Sequence, residues 1–250
     1  MNLQAGLGLL RSIIVYRVDP LHKWRLRRFY RSITTAGDLV FDVGAHVGDR
    51  INVFTDLGCR VVGVEPQPLL QRILHFFYGG HRDVALEACA LGAAPGTADI
   101  LISQRHPTVS SLSPDWVKTT SLEFNFRNVV WNHREPVKVI TLDDLIARHG
   151  LPRFCKIDVE GFETEVLRGL TQAIPLLSFE FLTTQRDLAR KCLAEITRLG
   201  NYRFNISYDE RLRFAWEEWR DGDDLLRHLE SLPAGVRSGD IYARLEATAG

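Results

Sequence analysis

Nothing in this 250-residue chain suggests a covalent frame, a metal cage or a membrane span. Its four cysteines, Cys59, Cys89, Cys155 and Cys192, are scattered and include no C-x-x-C pair. That excludes a zinc ribbon and a disulfide framework and fits a reducing, cytoplasmic setting. No apolar run approaches the roughly 18 residues needed to cross a bilayer. The apolar stretch over 7–15 is interrupted by Arg11, and no small-residue cleavage site follows it, so a secretory leader is not expected. Internal repeats and low-complexity tracts are absent as well. Net charge is zero, with 31 Lys and Arg against 31 Asp and Glu, and no nucleic-acid partner is expected.

What charge there is divides unevenly along the chain. Residues 1–36 hold Arg11, Arg17, Lys23, Arg25, Arg27, Arg28 and Arg31 against Asp19 alone, a net +6, and residues 37–250 carry −6. This asymmetry admits an anionic-surface contact or a homo-oligomer contact through the leader. The competing reading is a solvated helix face packed on the acidic body, and the aromatics that accompany the charges favour it.

With 45% hydrophobic and 25% charged residues, the composition is that of a folded globular protein. The length suits one main domain with an appendage. From Asn2 to about Ile33 the pattern is helical, broken near Asp19-Pro20, because proline lacks a backbone donor and clashes with the preceding turn. Residues 1–36 are therefore read as a basic helical appendage and 37–250 as the main domain. After Ala36-Gly37 short β-branched runs alternate with amphipathic stretches, the pattern of βα units on a mostly parallel sheet, an α/β Rossmann-like fold. Strands are expected at Leu39–Val43, Arg60–Val64, Ala85–Cys89, Arg153–Ile157, Leu176–Phe181, Arg203–Ser207 and Asp240–Leu245. A hairpin is expected at Ala98–Ser103, followed by an irregular, aromatic-rich stretch from Gln104 to Arg134 that reads as a lid or binding segment.

Four strings carry chemistry. In LVFDVGAHVGDR, Leu39 to Arg50, a strand ends in a glycine turn that opens a helix. Gly44 lets the backbone turn sharply and approach a ligand, Gly48 lets the next helix pack close to the strand, and Asp42 can accept from the turn amides or from a ligand ammonium. In VVGVEPQP the second strand delivers Glu65, a carboxylate placed to hold both hydroxyls of a ribose. A dinucleotide fingerprint would read G-x-G-x-x-G, but Ala45, His46 and Val47 separate the glycines here, so a ligand without a pyrophosphate fits better. ALEACALG, Ala85 to Gly92, offers a third strand and a tight turn that would border an adenine ring. In FCKIDVEGFETEVLRGL, Phe154 to Leu170, Asp158 and Glu160 share a strand-end face, since side chains at i and i+2 of an extended segment point the same way. Glu163, in the first helical turn, reads as a helix-dipole partner.

In this order the strings resemble the FkbM-type methyltransferase family: FDVGAHVGD, VVGVEPQP, the pair Ser110-Ser111 with Leu112, VKVITLDDL, KIDVEGFE with VLRGL, LSFEF and GDIYARL, spanning about residues 38–245. The resemblance implies a seven-stranded methyltransferase fold, S-adenosylmethionine as methyl donor, and hydroxyl acceptors on sugars, glycans or secondary metabolites. It implies a donor site made by Asp42, Gly44, Ala45, His46, Gly48, Glu65, Pro66, Ala90, Leu91, Ser111 and Asp158. His46 stands where asparagine is usual. A hydroxyl is a poor nucleophile at neutral pH, so a base is expected to add a factor of about 10²–10⁴. Asp158 and Glu160 lead as catalytic candidates, with His46, His106, His133 and Glu180 in reserve. No cluster demands a metal. The rivals are a methyltransferase-like binding or scaffold protein and a nicotinamide-dependent oxidoreductase.

Overall fold

The computed structural model describes residues 20–103, 109–122, 129–209, 211–233 and 235–246. A seven-stranded sheet forms the centre: β1 (Leu39–Val43), β2 (Arg60–Val64), β3 (Val84–Glu87), β7 (Phe154–Ile157), β8 (Leu176–Leu182), β9 (Tyr202–Tyr208) and β10 (Ser238–Leu245). Its order is β3-β2-β1-β7-β8-β10-β9. The pairs from β3 through β8 are parallel, whereas β10 runs antiparallel to both β8 and β9. The strand order reverses next to β1, where an open parallel sheet leaves a crevice at its carboxyl edge.

Helices cover both faces. On one side α1 (Pro20–Tyr30), α2 (Asp49–Asp56) and α3 (Pro68–Tyr78) pack in a cluster with Val40, Phe154, Leu176 and Tyr242. On the other, α5 (Leu142–His149), α6 (Glu163–Arg168), α7 (Arg186–Leu199) and α8 (Gly222–Glu230) pack against Phe41, Ile157, Phe179 and Ile241. β1 is buried along its whole length, which is why it reads as a continuous apolar run broken only by Asp42. Three helix starts are set by their sequence. Ser113 caps α4 (Pro114–Thr120), Thr141 and Asp144 form a capping box on α5, and Asp221 caps α8.

A second sheet was not foreseen. β4 (Ala90–Leu91), β5 (Gly96–Ile102) and β6 (His133–Ile140) form it in the order β4-β6-β5. The third main-sheet strand therefore ends at Glu87 rather than Cys89, because Ala90 and Leu91 leave it to pair with Val139 and Ile140. The hairpin expected at Ala98–Ser103 is one arm of β5 paired with β6 across a long excursion. The stretch read as irregular contains α4, and its last residues already belong to β6.

Of the helical stretches expected on either side of Asp19-Pro20, the second is α1, and the first lies outside the described residues. The helix lies outside the sheet, but it is built into the core, with Leu26 0%, Phe29 5% and Tyr30 1% exposed. Phe29 meets Phe214 and Tyr242 edge-on, and Tyr30 packs on Phe54 and Phe154. Burying three such side chains contributes about 1.5–3 kcal/mol each. The described part of the expected appendage thus shares its core with the sheet, while residues 1–19 lie outside the described residues. Lys23 and Arg27 pair with Asp56 of α2, so part of the basic face does pack on the acidic body. Among the described residues, no helix is long and apolar enough to cross a membrane, and all four cysteines are free and buried.

Candidate functional site

A cavity of about 350 Å³ opens at the carboxyl edge of the sheet, between the ends of β1, β2, β7 and β8 and the start of β10. The glycine turn forms its floor. Gly44 and Ala45 donate their amides to the Val64 carbonyl, both at 2.9 Å, which ties the ends of β1 and β2 together. The amides that Asp42 was expected to satisfy are thus already taken. At Gly44 φ is +86°, and a Cβ there would lie 1.9 Å from the Asp158 carbonyl oxygen. The close approach this glycine permits is to the neighbouring strand end as much as to any ligand. Gly48, at φ +80°, makes room for α3: a Cβ would meet Tyr78 at 2.6 Å and Leu74 at 2.9 Å. The Tyr78 hydroxyl donates to the Gly48 carbonyl at 2.7 Å.

Glu65 is held where the sequence placed it, 3% exposed at the end of β2. Its two carboxylate oxygens accept from the His46 amide (3.0 Å) and the Gln67 amide (2.9 Å). The carboxylate thereby bridges the two strand-end turns and keeps lone pairs toward the cavity it lines. Burial pushes its pKa up to about 7, against the pull of those amides. His46 adopts a left-handed backbone, φ +49°, as the turn requires. Burial drives its pKa down to about 4 despite the nearby Asp158, so near neutral pH it is an uncharged imidazole and not a titrating switch.

Beneath the cavity the sheet carries a row of polar side chains. The register sets Asp42 opposite Lys156, Lys156 opposite Ser178, Ser178 opposite Tyr242, and Tyr242 opposite Asn205. None of the five is more than 2% exposed. Cross-strand partners project to the same face, so this row forms a polar layer inside the α1–α2–α3 side of the protein. Two residues further along each strand, at the rim, stand Asp158, Glu180 and Asp240, with Glu180 in register with Asp240. Lys156 joins the two levels: its Nζ lies 2.5 Å from Asp158 Oδ2 and 3.9 Å from Asp240 Oδ1.

This lysine divides the acids. Burial raises the Asp158 carboxyl, but Lys156 and Arg50 outweigh it and hold the group below its ordinary value. On Glu160 and Glu180 the pull of Lys156 is the smallest influence and is outweighed. Burial first, then the charge of Asp158, pushes both well above the ordinary carboxylate range. Burial lifts Asp42 to about 6 against Arg50 and Lys156. Each of Asp158, Glu160 and Glu180 brings an oxygen within 4.8 Å of the other two, a spacing that a divalent cation could bridge. Glu163 is not part of this set. Its Oε1 accepts from the Val159 and Gly161 amides at 3.1 and 3.2 Å, which pins the turn into α6 and matches its reading as a helix-start residue.

The segment before α4 roofs the strand end. Ser111 donates its hydroxyl to the Glu160 carbonyl at 2.5 Å, and Trp116 lies against Gly161, where a Cβ would meet the indole at 2.2 Å. Glu160 itself has φ +52°; this seat holds it in a conformation that non-glycine residues seldom adopt.

Of the residues marked in the sequence, Gly44, Ala45, His46, Glu65, Pro66, Ala90, Leu91, Asp158, Glu160 and Glu180 all line the cavity. Asp42, Gly48 and Ser111 stand behind its wall, and Ser110 rather than Ser111 faces the space. His133 is on β6, paired with Glu135 and away from the cavity lining, and His106 lies outside the described residues. Lys156, Arg50 and Asp240 went unmarked. Lys156 was within reach of the rule that selected Asp158 and Glu160, since it is the i−2 neighbour of Asp158 on the same strand face.

A family model of the methyltransferase FkbM domain matches residues 42–232. No curated protein sequence matches the chain. Among solved structures, a TehB-like SAM-dependent methyltransferase from Corynebacterium glutamicum is similar with TM-score 0.50 and 10% identity, over 95% of this chain and 94% of that one. An O-methyltransferase from Bacillus cereus in complex with SAH shows TM-score 0.45 and 9% identity, over 98% and 92%. At such identity the first likeness is one of fold: the seven-stranded sheet is that of Rossmann-like methyltransferases. The matched segment runs from Asp42 through the glycine turn, Glu65 and KIDVEG, and by it the chain belongs to the FkbM-domain methyltransferases, whose methyl donor is S-adenosylmethionine.

Proposed function

We propose that the protein is an O-methyltransferase acting on a hydroxyl of a small molecule or glycan. The observation that carries this reading is the set of carboxylates on one wall of the cavity. Glu160 and Glu180 line the space and are held with raised proton affinity. A hydroxyl acceptor needs such a proton acceptor, because it is a weak nucleophile until its proton leaves.

The residues present fit the donor. Glu65 would hold the ribose hydroxyls, with Pro66, Ala90 and Leu91 forming the wall beside them. Gly44, Ala45 and His46 would shape the floor, and the acid rim would face the cationic end. Asp42 and Gly48 act from behind, by charge and by packing, and Ser111 acts through the backbone of Glu160. The donor supplies an activated sulfonium methyl when bound. The chain then positions the acceptor oxygen, a contribution that reaches about 7–11 kcal/mol in favourable systems, and receives its proton at Glu160 or Glu180. Asp158, ionised and tied to Lys156, orients rather than accepts.

Two experiments test this reading. Calorimetry should show that S-adenosylhomocysteine binds and NADH does not, with Glu65→Ala weakening binding by about 1–3 kcal/mol; the reverse preference would return the fold to the oxidoreductases. Incubating host metabolite and glycan extracts with isotope-labelled donor, followed by mass spectrometry, should then reveal labelled methyl ethers. Labelled N-methyl or C-methyl products would overturn the assignment to hydroxyls. Donor binding with no labelled product in any extract would favour a binding or scaffold protein.

A further inference from the structure

The outer surface of the α1–α2–α3 layer plays no part in the chemistry above, yet it carries an unusual composition. Helix α1 turns Leu21, Trp24, Arg25 and Arg28 outward, at the i, i+3, i+4, i+7 spacing of one helical face, while Leu26, Phe29 and Tyr30 are buried on the other. Leu21 is 57% and Trp24 55% exposed. In the same layer, at the end of α3, Phe76 is 83% exposed. Between Pro20 and Gly37 there are five Lys and Arg and no acid. Asp56 takes Lys23 and Arg27, while Arg25, Arg28 and Arg31 have no carboxylate partner among the described residues. Arg28 lies 5.6 Å from the centroid of the Trp24 ring.

We propose that this face is a docking surface for an anionic lipid bilayer, with Trp24, Leu21 and Phe76 entering the headgroup region and Arg25 and Arg28 meeting lipid phosphates. Charge complementarity selects the partner. The leader carries +6 on a chain of zero net charge, and on the described face of α1 the exposed Arg25 and Arg28 share one helical stripe with the exposed Leu21 and Trp24. A protein interface also takes Trp and Arg, but around a contiguous apolar centre, whereas the exposed apolar side chains here are divided between separate helices, α1 and α3. Duplex nucleic acid would use the guanidinium groups but would leave Leu21 and Phe76 in water. A bilayer interface accepts both at once: Trp prefers the headgroup level, and apolar groups interleaved with arginines are the pattern of helices that lie on anionic membranes. The first turn of α1 also reaches the cavity wall, where His22 sits 3.6 Å from Asp49, so a docked protein would hold its cavity close to the membrane plane.

The test uses the full chain and vesicles of phosphatidylglycerol with phosphatidylcholine, against vesicles of phosphatidylcholine alone. Co-sedimentation should occur with the anionic vesicles only and should weaken with added salt. Arg25→Gln with Arg28→Gln should lower the partition coefficient about thirtyfold, the product of two surface cations. Trp24→Ser with Phe76→Ser should also lower it, with circular dichroism unchanged because all four side chains are exposed. Should the serine variant misfold, brominated lipid supplies a second readout: it should quench the parent's fluorescence more than that of Trp24→Phe. Equal partition into neutral vesicles, or none into either, overturns the proposal. So does undiminished binding by the glutamine variant, which would place the contact elsewhere in the chain. Displacement from vesicles by duplex DNA, with the serine variant binding DNA as well as the parent does, would make the partner a nucleic acid.

Discussion

Lys156 Nζ lies 2.5 Å from Asp158 Oδ2, beneath the rim of the cavity, and that single contact sorts the surrounding acids into two kinds. The lysine is 1% exposed. Burial and Arg50 pull its pKa down, but Asp158 and Asp240 outweigh them and hold it above the ordinary lysine value. It is therefore an ammonium through the neutral range, and it favours the ionised form of Asp158, the carboxylate it contacts. Glu160 and Glu180 are left to share whatever protons the rim retains.

Removing this cation should be costly. Lys156→Met removes the hydrogen-bonded cation of Asp158 and leaves Arg50 as its remaining counter-charge, a loss of about 1–3 kcal/mol for a charged hydrogen bond. The raised lysine contributes fully below 10.5, and its contribution is lost as pH rises through its folded value. The depressed Asp158 contributes above 3.8, and its contribution is lost as pH falls through its folded value. The deficit of the variant should therefore be full from about pH 5 to pH 9 and should shrink in acid. Denaturant titration across that range reads it, and adding Asp158→Asn should recover part of the loss. A methionine variant as stable as the parent at pH 7 would show that the pair is dispensable.

The glycine turn gives a prediction with its own control. Gly44→Ala puts a methyl group 1.9 Å from the Asp158 carbonyl at a φ of +86°, so β1 and β7 must separate or the turn must rearrange. Such strain costs about 1–3 kcal/mol for the backbone alone, and the clash adds to it. Gly80→Ala meets nothing within 4 Å and has no positive φ; it should stay within about 0.5 kcal/mol of the parent. Thermal melts of the two variants side by side should separate them clearly. Equal melting temperatures would mean that the turn is not the rigid junction described.

Glu163 sets a pH dependence of stability. Burial, opposed by the amides it accepts, lifts its pKa from 4.5 to about 7. The folded state then binds a proton that the unfolded chain releases. Its contribution is present below about pH 4.5 and is lost as pH rises through 7. Glu163→Gln keeps an oxygen acceptor for Val159 and Gly161 but has no proton to lose. Above pH 7 it should be the more stable form by up to about 3 kcal/mol, at about 1.4 kcal/mol per pKa unit. Parallel stability curves for the two proteins from pH 4.5 to 8 would remove Glu163 from the account.

The central sheet was legible because most of its strands, β3 apart, are short buried runs; β1 and β2 match the sequence reading residue for residue. The small sheet was not, because β4 is two residues long and its partner β6 begins 42 residues after it ends. Local periodicity carries no record of such a pairing. In the site, Glu65 and the Asp158–Glu160 pair were readable as acids at strand ends. The role of Lys156 was not, since a lysine in a strand reads as solvent-facing until the register shows it between Asp42 and Ser178. The burial of α1 was hidden in the same way: its basic residues dominate the pattern, and only tertiary packing reveals that Leu26, Phe29 and Tyr30 face the core.

The identity of the base is the last expectation. Asp158 and Glu160 stand two apart in the motif and both are acids, but the lysine beneath Asp158 makes it a poor proton acceptor, and Glu160 and Glu180 become the candidates. Once a labelled product has identified an acceptor, Glu160→Gln and Glu180→Gln can be compared with Asp158→Asn under saturating donor. The variant that removes the base should lose about 10²–10⁴ in kcat, with S-adenosylhomocysteine affinity nearly unchanged. The parental rate should rise with pH above the ordinary carboxylate range, because the base has to release its proton before it can accept another. Asp158→Asn should act chiefly on binding and stability, since it strands Lys156. If Asp158→Asn alone abolishes turnover while both glutamine variants keep the parental rate and pH profile, the proton goes to Asp158 and the division of roles imposed by Lys156 is wrong.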